Sequence, residues 1–257
     1  MPYLPNTISD QQAMLDAIGV SSIDELFAMI PDALRLNRPL DLPPGMGELE
    51  LTRHMTALAA RNLAAGQSAC FLGGGSYDHF IPAVVDTIAG RSEFYTAYTP
   101  YQAEASQGTL QAIFEYQTLV TQLTGMDVSN ASIYDGATAA VEAALMAIHA
   151  TGRDRVAVAR SVHPETRQVL ETYLANLNVA IDLIDAPEGT VAPSDAQRAV
   201  TARTACLLVQ QSNFFGCLES MDELAQIAHG QGALLVAIVD PISLGLLKRP
   251  GEYGADL

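Results

Sequence analysis

The apolar positions in the first half of the chain recur with a helical period. Roughly helical intervals separate Leu49, Met55, Leu58 and Leu63. Capping-box spacing, which marks the start of a helix, relates Ser9 to Gln12 and Ser22 to Glu25. A further helix is predicted from about Ser106 to Thr124, because Gly125 supplies the expected stop. The first half of the chain is therefore predicted to be mainly helical.

Beyond residue 130 the pattern changes to short apolar runs rich in β-branched residues. The runs lie at 155–160, 178–184, 205–211 and 233–240. Predicted helices separate them at 164–176, 194–203 and 221–229. Strands that are apolar on both faces and alternate with helices favour a parallel sheet covered on both sides. The sequence thus predicts a three-layer α/β domain at 46–257, preceded by a helical arm at 1–45, with "DLPPGMGELE" (41–50) as the linker.

Composition and charge exclude several classes of partner. The 257 residues are 49% hydrophobic and 16% charged, which is typical of a globular protein with a large core. A net charge of −16 repels nucleic-acid phosphates and anionic lipids. No basic start followed by an apolar run is visible, and no apolar stretch approaches the ~18 residues that span a bilayer. Neither nucleic acid nor a membrane is an expected partner.

The cysteine content indicates a reducing compartment. Cys70, Cys206 and Cys217 are three in number, so they cannot all form disulfides with one another, and none of their spacings is typical of a metal site. We therefore expect a cytoplasmic protein in which the three thiols are buried as small hydrophobic side chains.

One polar turn is a candidate anion site. The stretch "IYDGATAAVEAALMA" (133–147) places Asp135, Gly136 and Thr138 directly before an alanine-rich helix. The N–H groups at such a helix start, together with the Thr138 hydroxyl, would favour a phosphate. Equally, Asp135 could be an ordinary N-cap followed by a glycine. The motif alone does not decide between the two.

Three further polar residues follow the predicted strands, where an open α/β sheet binds its ligand. His163 could lie over a flat ring, Asn213 could donate a hydrogen bond to a phenolate oxygen, and Asp240 could pair with a pyridinium nitrogen. Each also has a plain structural interpretation: a loop histidine before a proline, a turn asparagine, and a cap at the end of a strand.

Longer stretches of the sequence resemble a known family. The segment 93–144, with the combination "YTAYTPYQ" and "YDGATA", closely resembles the P-protein of the glycine cleavage system. The match continues upstream in "FLGGGSYDHFIPAVVDTIAGRSEFYTAYTPYQ" and downstream in "QQSNFFG" and "VDPISLGLLKRPGEYGADL". Many bacteria split this protein into two subunits, and the sequence resembles subunit 1, the amino-terminal one. The turn, His163, Asn213 and Asp240 also follow the order found in fold-type I pyridoxal-phosphate enzymes.

The resemblance implies a fold and a role. The fold is the three-layer α/β/α large domain of fold-type I pyridoxal-phosphate transferases, here expected to be truncated before its final strands and small domain. The Schiff-base lysine of the family resides in subunit 2, and the chain's single lysine, Lys248, lies only eight residues past Asp240. Pyridoxal phosphate is therefore expected on subunit 2, with residues 135–138, His163, Asn213 and Asp240 as vestiges of a cofactor site.

The implied activity is glycine decarboxylation. With subunit 2, in a heterotetramer, the chain would release carbon dioxide from glycine and pass the aminomethyl group to the lipoyl arm of H-protein. Tyr95, Tyr98 and Tyr101 are predicted to wall the partner's pocket, although they could instead pack the subunit interface. The loop "GGGSYDH" (73–79) is not a dinucleotide fingerprint and is predicted to lie at the entrance, with Ser76, Tyr77 and His79 on its rim. Two rival functions are a small independent enzyme that uses Lys248 and a purely structural subunit.

Overall fold

The computed structural model describes residues 6–36, 38–71, 73–95 and 99–257. The chain divides into two compact units, Met1–Ser68 and Ala69–Leu257. The predicted boundary near residue 45, between a helical arm and the large domain, stays a prediction.

The described part of the first unit is helical. Its α-helices are α1 (Ile8–Ile18), α2 (Ile23–Leu26) and α3 (Glu48–Ala59), and short 3₁₀ turns lie at Asp32–Leu34 and Ala65–Gln67. The predicted cap at Ser9 is wrong, because the Thr7 hydroxyl accepts a hydrogen bond from the Asp10 N–H and the Asp10 carboxylate accepts one from the Thr7 N–H. The cap at Ser22 is confirmed, since its hydroxyl accepts from the Glu25 N–H.

The second unit begins with helices and continues as an alternation of strands and helices. Its α-helices are α4 (Ala83–Ala89), α5 (Ser92–Tyr95), α6 (Gln107–Thr124), α7 (Gly136–Thr151), α8 (Pro164–Leu174), α9 (Pro193–Ala199) and α10 (Met221–Gly230). Its strands are β1 (Arg155–Ala159), β2 (Ala180–Ile184), β3 (Thr204–Gln211) and β4 (Leu234–Val239). Two 3₁₀ turns follow at Pro241–Gly245 and Pro250–Glu252.

The four strands form one parallel sheet in the order β2-β1-β3-β4. Helices α7 and α8 pack on each other, and α7 also contacts β1, β3 and β4, whereas α10 packs with α9, β3 and β4. Ala140, Ala144 and Ala147 bring α7 close to the sheet, because their small side chains on one helical face are buried. The predicted three-layer α/β architecture is confirmed.

Most predicted elements are confirmed within a few residues, and one is clearly shorter. The helix predicted to run from 194 to 203 ends at Ala199, and Val200 already has extended backbone angles. The Thr204 hydroxyl accepts a hydrogen bond from the Thr201 N–H, and the Thr204 N–H donates to the Thr201 carbonyl. This turn ends the helix early and leads the chain into β3.

Candidate functional site

The topology of the sheet marks one place for a ligand. Strand β2 lies on one side of β1 and β3 lies on the other, so the order of the strands reverses between β1 and β3. Open α/β sheets bind ligands at such a switch point, outside the carboxyl ends of the strands. The residues that follow β1, β3 and β4 therefore define the candidate site.

The turn before α7 is closed by its own acidic residue. The Asp135 carboxylate accepts a hydrogen bond of 2.8 Å from the Thr138 N–H, and the Thr138 hydroxyl donates to the Asp135 carbonyl at 3.1 Å. The Thr138 N–H lowers the pKa of Asp135 from its ordinary value. Asp135 is thus the N-cap of α7, and its negative charge sits where the helix would attract an anion.

His163 is the N-cap of α8 and lies beside the switch point. Its ring Nδ1 accepts a hydrogen bond from the Glu165 N–H at 3.2 Å, and its backbone N–H donates to the Gln210 side-chain oxygen at 2.9 Å. Its ring meets Phe214 edge to face, with centroids 5.1 Å apart. The histidine is therefore fixed by the backbone of α8 and by residues at the end of β3.

Asn213 is completely buried and its amide points inwards. Its Nδ2 donates to the Gly189 carbonyl and to Glu219 Oε1, both at 2.7 Å. Its Oδ1 accepts from the N–H groups of Phe215 and Cys217, both at 3.0 Å. Both amide hydrogens are used, so this side chain has none left to donate to a ligand.

Glu219 is the centre of this network, and sequence reasoning missed it. Its carboxylate also accepts from the Ser161 hydroxyl at 2.6 Å and from the Val191 N–H at 2.9 Å. Glu219 is 6% exposed, and burial of a carboxylate requires partners of this kind. The partners come from segments far apart in sequence, so no local pattern signals the network.

Asp240 follows β4 directly and pairs with a histidine from the glycine-rich loop. His79 Nε2 lies 3.0 Å from Asp240 Oδ2, and 33% of the His79 side chain and 27% of the Asp240 side chain are exposed. The other Asp240 oxygen accepts from the Ile242 N–H at 3.0 Å, so Asp240 also caps the turn that follows. No local pattern indicates that His79 reaches this position, because the two residues are 161 positions apart.

The glycine-rich loop lies against the candidate site. Gly73, Gly74 and Gly75 all have positive φ angles. A Cβ at position 74 would lie 3.7 Å from the Phe214 ring, and a Cβ at position 75 would lie 3.0 Å from His163 Cδ2. Glycine at position 75 therefore permits both the left-handed backbone and the close approach to His163.

The predicted site residues are brought together only in part. His163 and Asp240 follow the carboxyl ends of β1 and β4, and both contact the glycine-rich loop. Among the described residues, no hydrogen bond joins Asp135, His163, Asn213 or Asp240 to one another. Lys248 pairs with Asp222 on the first turn of α10.

The tyrosines are described unequally. Tyr98 lies outside the described residues, and Tyr95 is described only as the last residue of α5. The Tyr101 side chain is 85% exposed, and Tyr77 on the loop rim is 41% exposed. A role for Tyr95, Tyr98 and Tyr101 in a pocket wall stays a prediction.

Comparison with known proteins decides the family. The profile of the glycine cleavage system P-protein matches residues 1–257. The chain belongs to the glycine cleavage system P-protein family. The protein of Carboxydothermus hydrogenoformans named "Probable glycine dehydrogenase (decarboxylating) subunit 1" is 52% identical over the whole chain, which covers 58% of that relative. A protein of Geotalea uraniireducens with the same name is 54% identical, with 57% of its length covered. The chain thus spans rather more than half the length of these P-protein subunits.

Solved structures support the fold. A crystal structure of glycine decarboxylase, the P-protein of the glycine cleavage system, in inhibitor-bound form matches the whole chain with a TM-score of 0.83 and 45% identity, and 57% of that chain is covered. A cysteine desulfurase from Thermococcus onnurineus matches 67% of this chain and 44% of its own, with a TM-score of 0.51 and 20% identity. The large domain of this P-protein family member therefore has the fold-type I pyridoxal-phosphate-transferase architecture.

Two classes of feature are missing from the part of the chain that the structure describes. No group of three or more histidine, cysteine, aspartate or glutamate side chains there could hold a metal ion. No described helix is both long and apolar enough to cross a bilayer.

Proposed function

We propose that the chain acts as subunit 1 of a glycine decarboxylase. With subunit 2 it would decarboxylate glycine and transfer the aminomethyl group to the lipoyl arm of H-protein, and subunit 2 would hold the pyridoxal phosphate. The observation that carries this proposal is the match of all 257 residues to relatives named as subunit 1 at 51–54% identity.

Exposed apolar surface supports a partner subunit. Helix α6 has no buried residue, although Phe114, Tyr116 and Leu119 are apolar or aromatic and 45–68% exposed. A groove of about 330 Å³ lies beside it, lined in part by Phe94 and Ile113. Apolar patches of this kind favour burial against another protein.

A second apolar region flanks the glycine-rich loop. Phe71 is 95% exposed before the loop, and Phe80 and Ile81 are 89% and 66% exposed after it. We propose that subunit 2 covers these side chains, which would put the rim residues Ser76 and Tyr77 near its pocket entrance. A heterotetramer would bury both apolar regions against neighbouring subunits.

Three free cysteines support a cytoplasmic location. Cys70 is exposed, Cys217 is half-buried and Cys206 is buried, and none forms a disulfide. We expect such thiols to persist in a reducing compartment. The prediction that all three are buried is wrong, because Cys70 is in an exposed segment.

Reconstitution tests the function. The chain is mixed with subunit 2 and H-protein from one bacterium, pyridoxal phosphate, glycine and labelled bicarbonate, and label entering glycine is measured. The full-length subunit 1 of Carboxydothermus hydrogenoformans serves as the positive control. We expect exchange with both; exchange with the control alone would contradict the proposal.

Single tyrosine variants separate a pocket role from a purely structural one. Loss of a hydroxyl that hydrogen-bonds a charged substrate costs about 1.5–3 kcal/mol, so Tyr95→Phe or Tyr98→Phe should lower exchange about tenfold or more. Tyr173→Phe is the matched control, because Tyr173 lies on α8 with its side chain 46% exposed. If neither Tyr95→Phe nor Tyr98→Phe changes the exchange, the result would favour a purely structural role for the chain instead.

A further inference from the structure

The crevice where this fold would bind a ligand is filled by the chain itself. The crevice lies at the switch point between β1 and β3 and is bordered by His163 and Phe214. Gly74 packs against the Phe214 ring and Gly75 against the edge of the His163 ring. A planar ligand at this place would have to displace the backbone of residues 74 and 75.

The loop is anchored at its far end by a contact between two side chains at hydrogen-bond distance. His79 and Asp240 are 161 positions apart in sequence, and their side chains meet at 3.0 Å. Asp240 is the residue that could pair with a pyridinium nitrogen, and here an imidazole nitrogen makes that contact. A nitrogen heterocycle of the chain thus occupies the carboxylate oxygen that would accept a hydrogen bond from the ring nitrogen of a bound ligand.

The phosphate end of such a ligand is disfavoured as well. The Asp135 carboxylate caps the N-terminus of α7, because it accepts a hydrogen bond from the Thr138 N–H. This N–H holds the pKa of Asp135 below its ordinary value, so the carboxylate stays charged at neutral pH. A phosphate would meet a like charge and would compete with an existing hydrogen bond.

We propose that the loop of residues 73–79 is an internal occupant of this crevice, in the place of a pyridoxal phosphate, and that the chain binds no pyridoxal phosphate there. The residues present do not fit the cofactor. Gly75 packs against the edge of the His163 ring, His79 contacts Asp240 at hydrogen-bond distance, and the Asp135 carboxylate caps the helix start where a phosphate would bind. The same contacts would hold the loop in one position, so the rim residues Ser76 and Tyr77 would also keep fixed positions. The proposal rests on the geometry of this chain alone and does not depend on the activity proposed above.

A binding experiment tests the first half of the proposal. The probe is pyridoxine 5′-phosphate, which has no aldehyde and so cannot form a Schiff base with Lys248 or the amino terminus. Calorimetric titration of the purified chain should give no saturable binding up to about 1 mM probe, and inorganic phosphate should behave alike. Saturable binding of the probe at micromolar concentration would overturn the proposal, whatever the reconstituted activity is.

A double-mutant cycle tests the anchor. His79→Gln, Asp240→Asn and the double variant are unfolded in urea, and the coupling between the two sites is calculated from the four stabilities. Because the pair is partly exposed, we expect the two substitutions to be coupled by about a twofold to fivefold change in the unfolding equilibrium constant. Additive effects would mean that the anchor does not form in solution and would overturn the proposal.

A pair of glycine variants tests the contact with the crevice. Gly75→Ala places a Cβ 3.0 Å from His163, whereas Gly73→Ala also puts an alanine at a positive φ but has no atom within 4 Å of its Cβ. We expect Gly75→Ala to raise the unfolding equilibrium constant severalfold more than Gly73→Ala does. Equal effects would show that Gly75 does not pack against the ring and would contradict the internal occupant.

Discussion

Asn213→Ala would remove the side chain that holds the turn of residues 213–219 together and links it to Gly189. The amide makes four hydrogen bonds and is fully buried. After the substitution the Gly189 carbonyl loses this donor, and the N–H groups of Phe215 and Cys217 lose this acceptor. Glu219 keeps its bonds to Ser161 and Val191 but loses one donor to its buried charge.

The magnitude follows from the number of bonds and their burial. Each hydrogen bond contributes about 1 kcal/mol net, and a buried group left without a partner costs about 1–3 kcal/mol. Some groups will recover a partner by relaxation, so we expect the free energy of unfolding to fall by about 3–5 kcal/mol. With a urea m value of about 3 kcal/mol/M, the midpoint should shift by about 1 M or more.

Urea unfolding followed by circular dichroism measures this loss. Asn130→Ala is the matched control, because Asn130 is exposed and its side chain accepts one hydrogen bond, from the Ser132 N–H. The control should cost less than about 1 kcal/mol. Asn213→Asp is a second variant of nearly equal volume, and it places an oxygen against Glu219 Oε1 and the Gly189 carbonyl, so it should destabilise strongly at neutral pH. If Asn213→Ala costs no more than the control, the network does not stabilise the fold and the inward role of Asn213 is refuted.

Three smaller predictions follow from single groups. Burial raises the pKa of the Cys206 thiol to about 12, so a thiol reagent at pH 8 should label the exposed Cys70 in the folded chain and reach Cys206 only after unfolding; equal labelling rates would contradict this. The Thr138 N–H lowers the pKa of Asp135 from 3.8, so the stabilisation relative to Asp135→Asn should be fully present above that ordinary value and be lost as the pH falls through the lowered pKa; a stability difference that does not change with pH would argue against the charged cap. A Cβ at Gly251 would lie 2.0 Å from a backbone oxygen, so Gly251→Ala should lower the melting temperature strongly, whereas Gly245→Ala, with no atom within 4 Å, should not.

The prediction of the fold succeeded where the signal was local. The runs at 155–160 and 205–211 became β1 and β3 with edges moved by one residue, because strands buried on both faces need continuous apolar side chains. Gly125 ends α6 in the left-handed conformation, as its lack of a Cβ allows. The early end of α9 was not predicted, because the hydroxyl of Thr204 competes with the helix only once the turn into β3 has formed.

The candidate site was predicted less well. Four residues were predicted to form one cofactor site because of their order along the chain and their chemical types: Asp135, His163, Asn213 and Asp240. The structure gives each of them a partner within the chain: the N-terminus of α7 for Asp135, the glycine-rich loop for His163 and Asp240, and Glu219 for Asn213. Residue types and their order along the chain indicate the family to which a site belongs. The contacts that each residue makes depend on which other segments fold against it.

By itself, the sequence determined the α/β class, the alternation of strands and helices, the family and the scarcity of lysine that keeps a Schiff base from being expected here. These properties depend on the period of apolar residues and on residue identity, both of which are local. Only the tertiary structure decided that His79 reaches Asp240, that Gly75 lies on His163 and that Asn213 turns inwards to Glu219. The first two contacts join residues far apart in sequence, so their formation depends on chain topology, whereas the third depends on the need of each buried polar group for a partner.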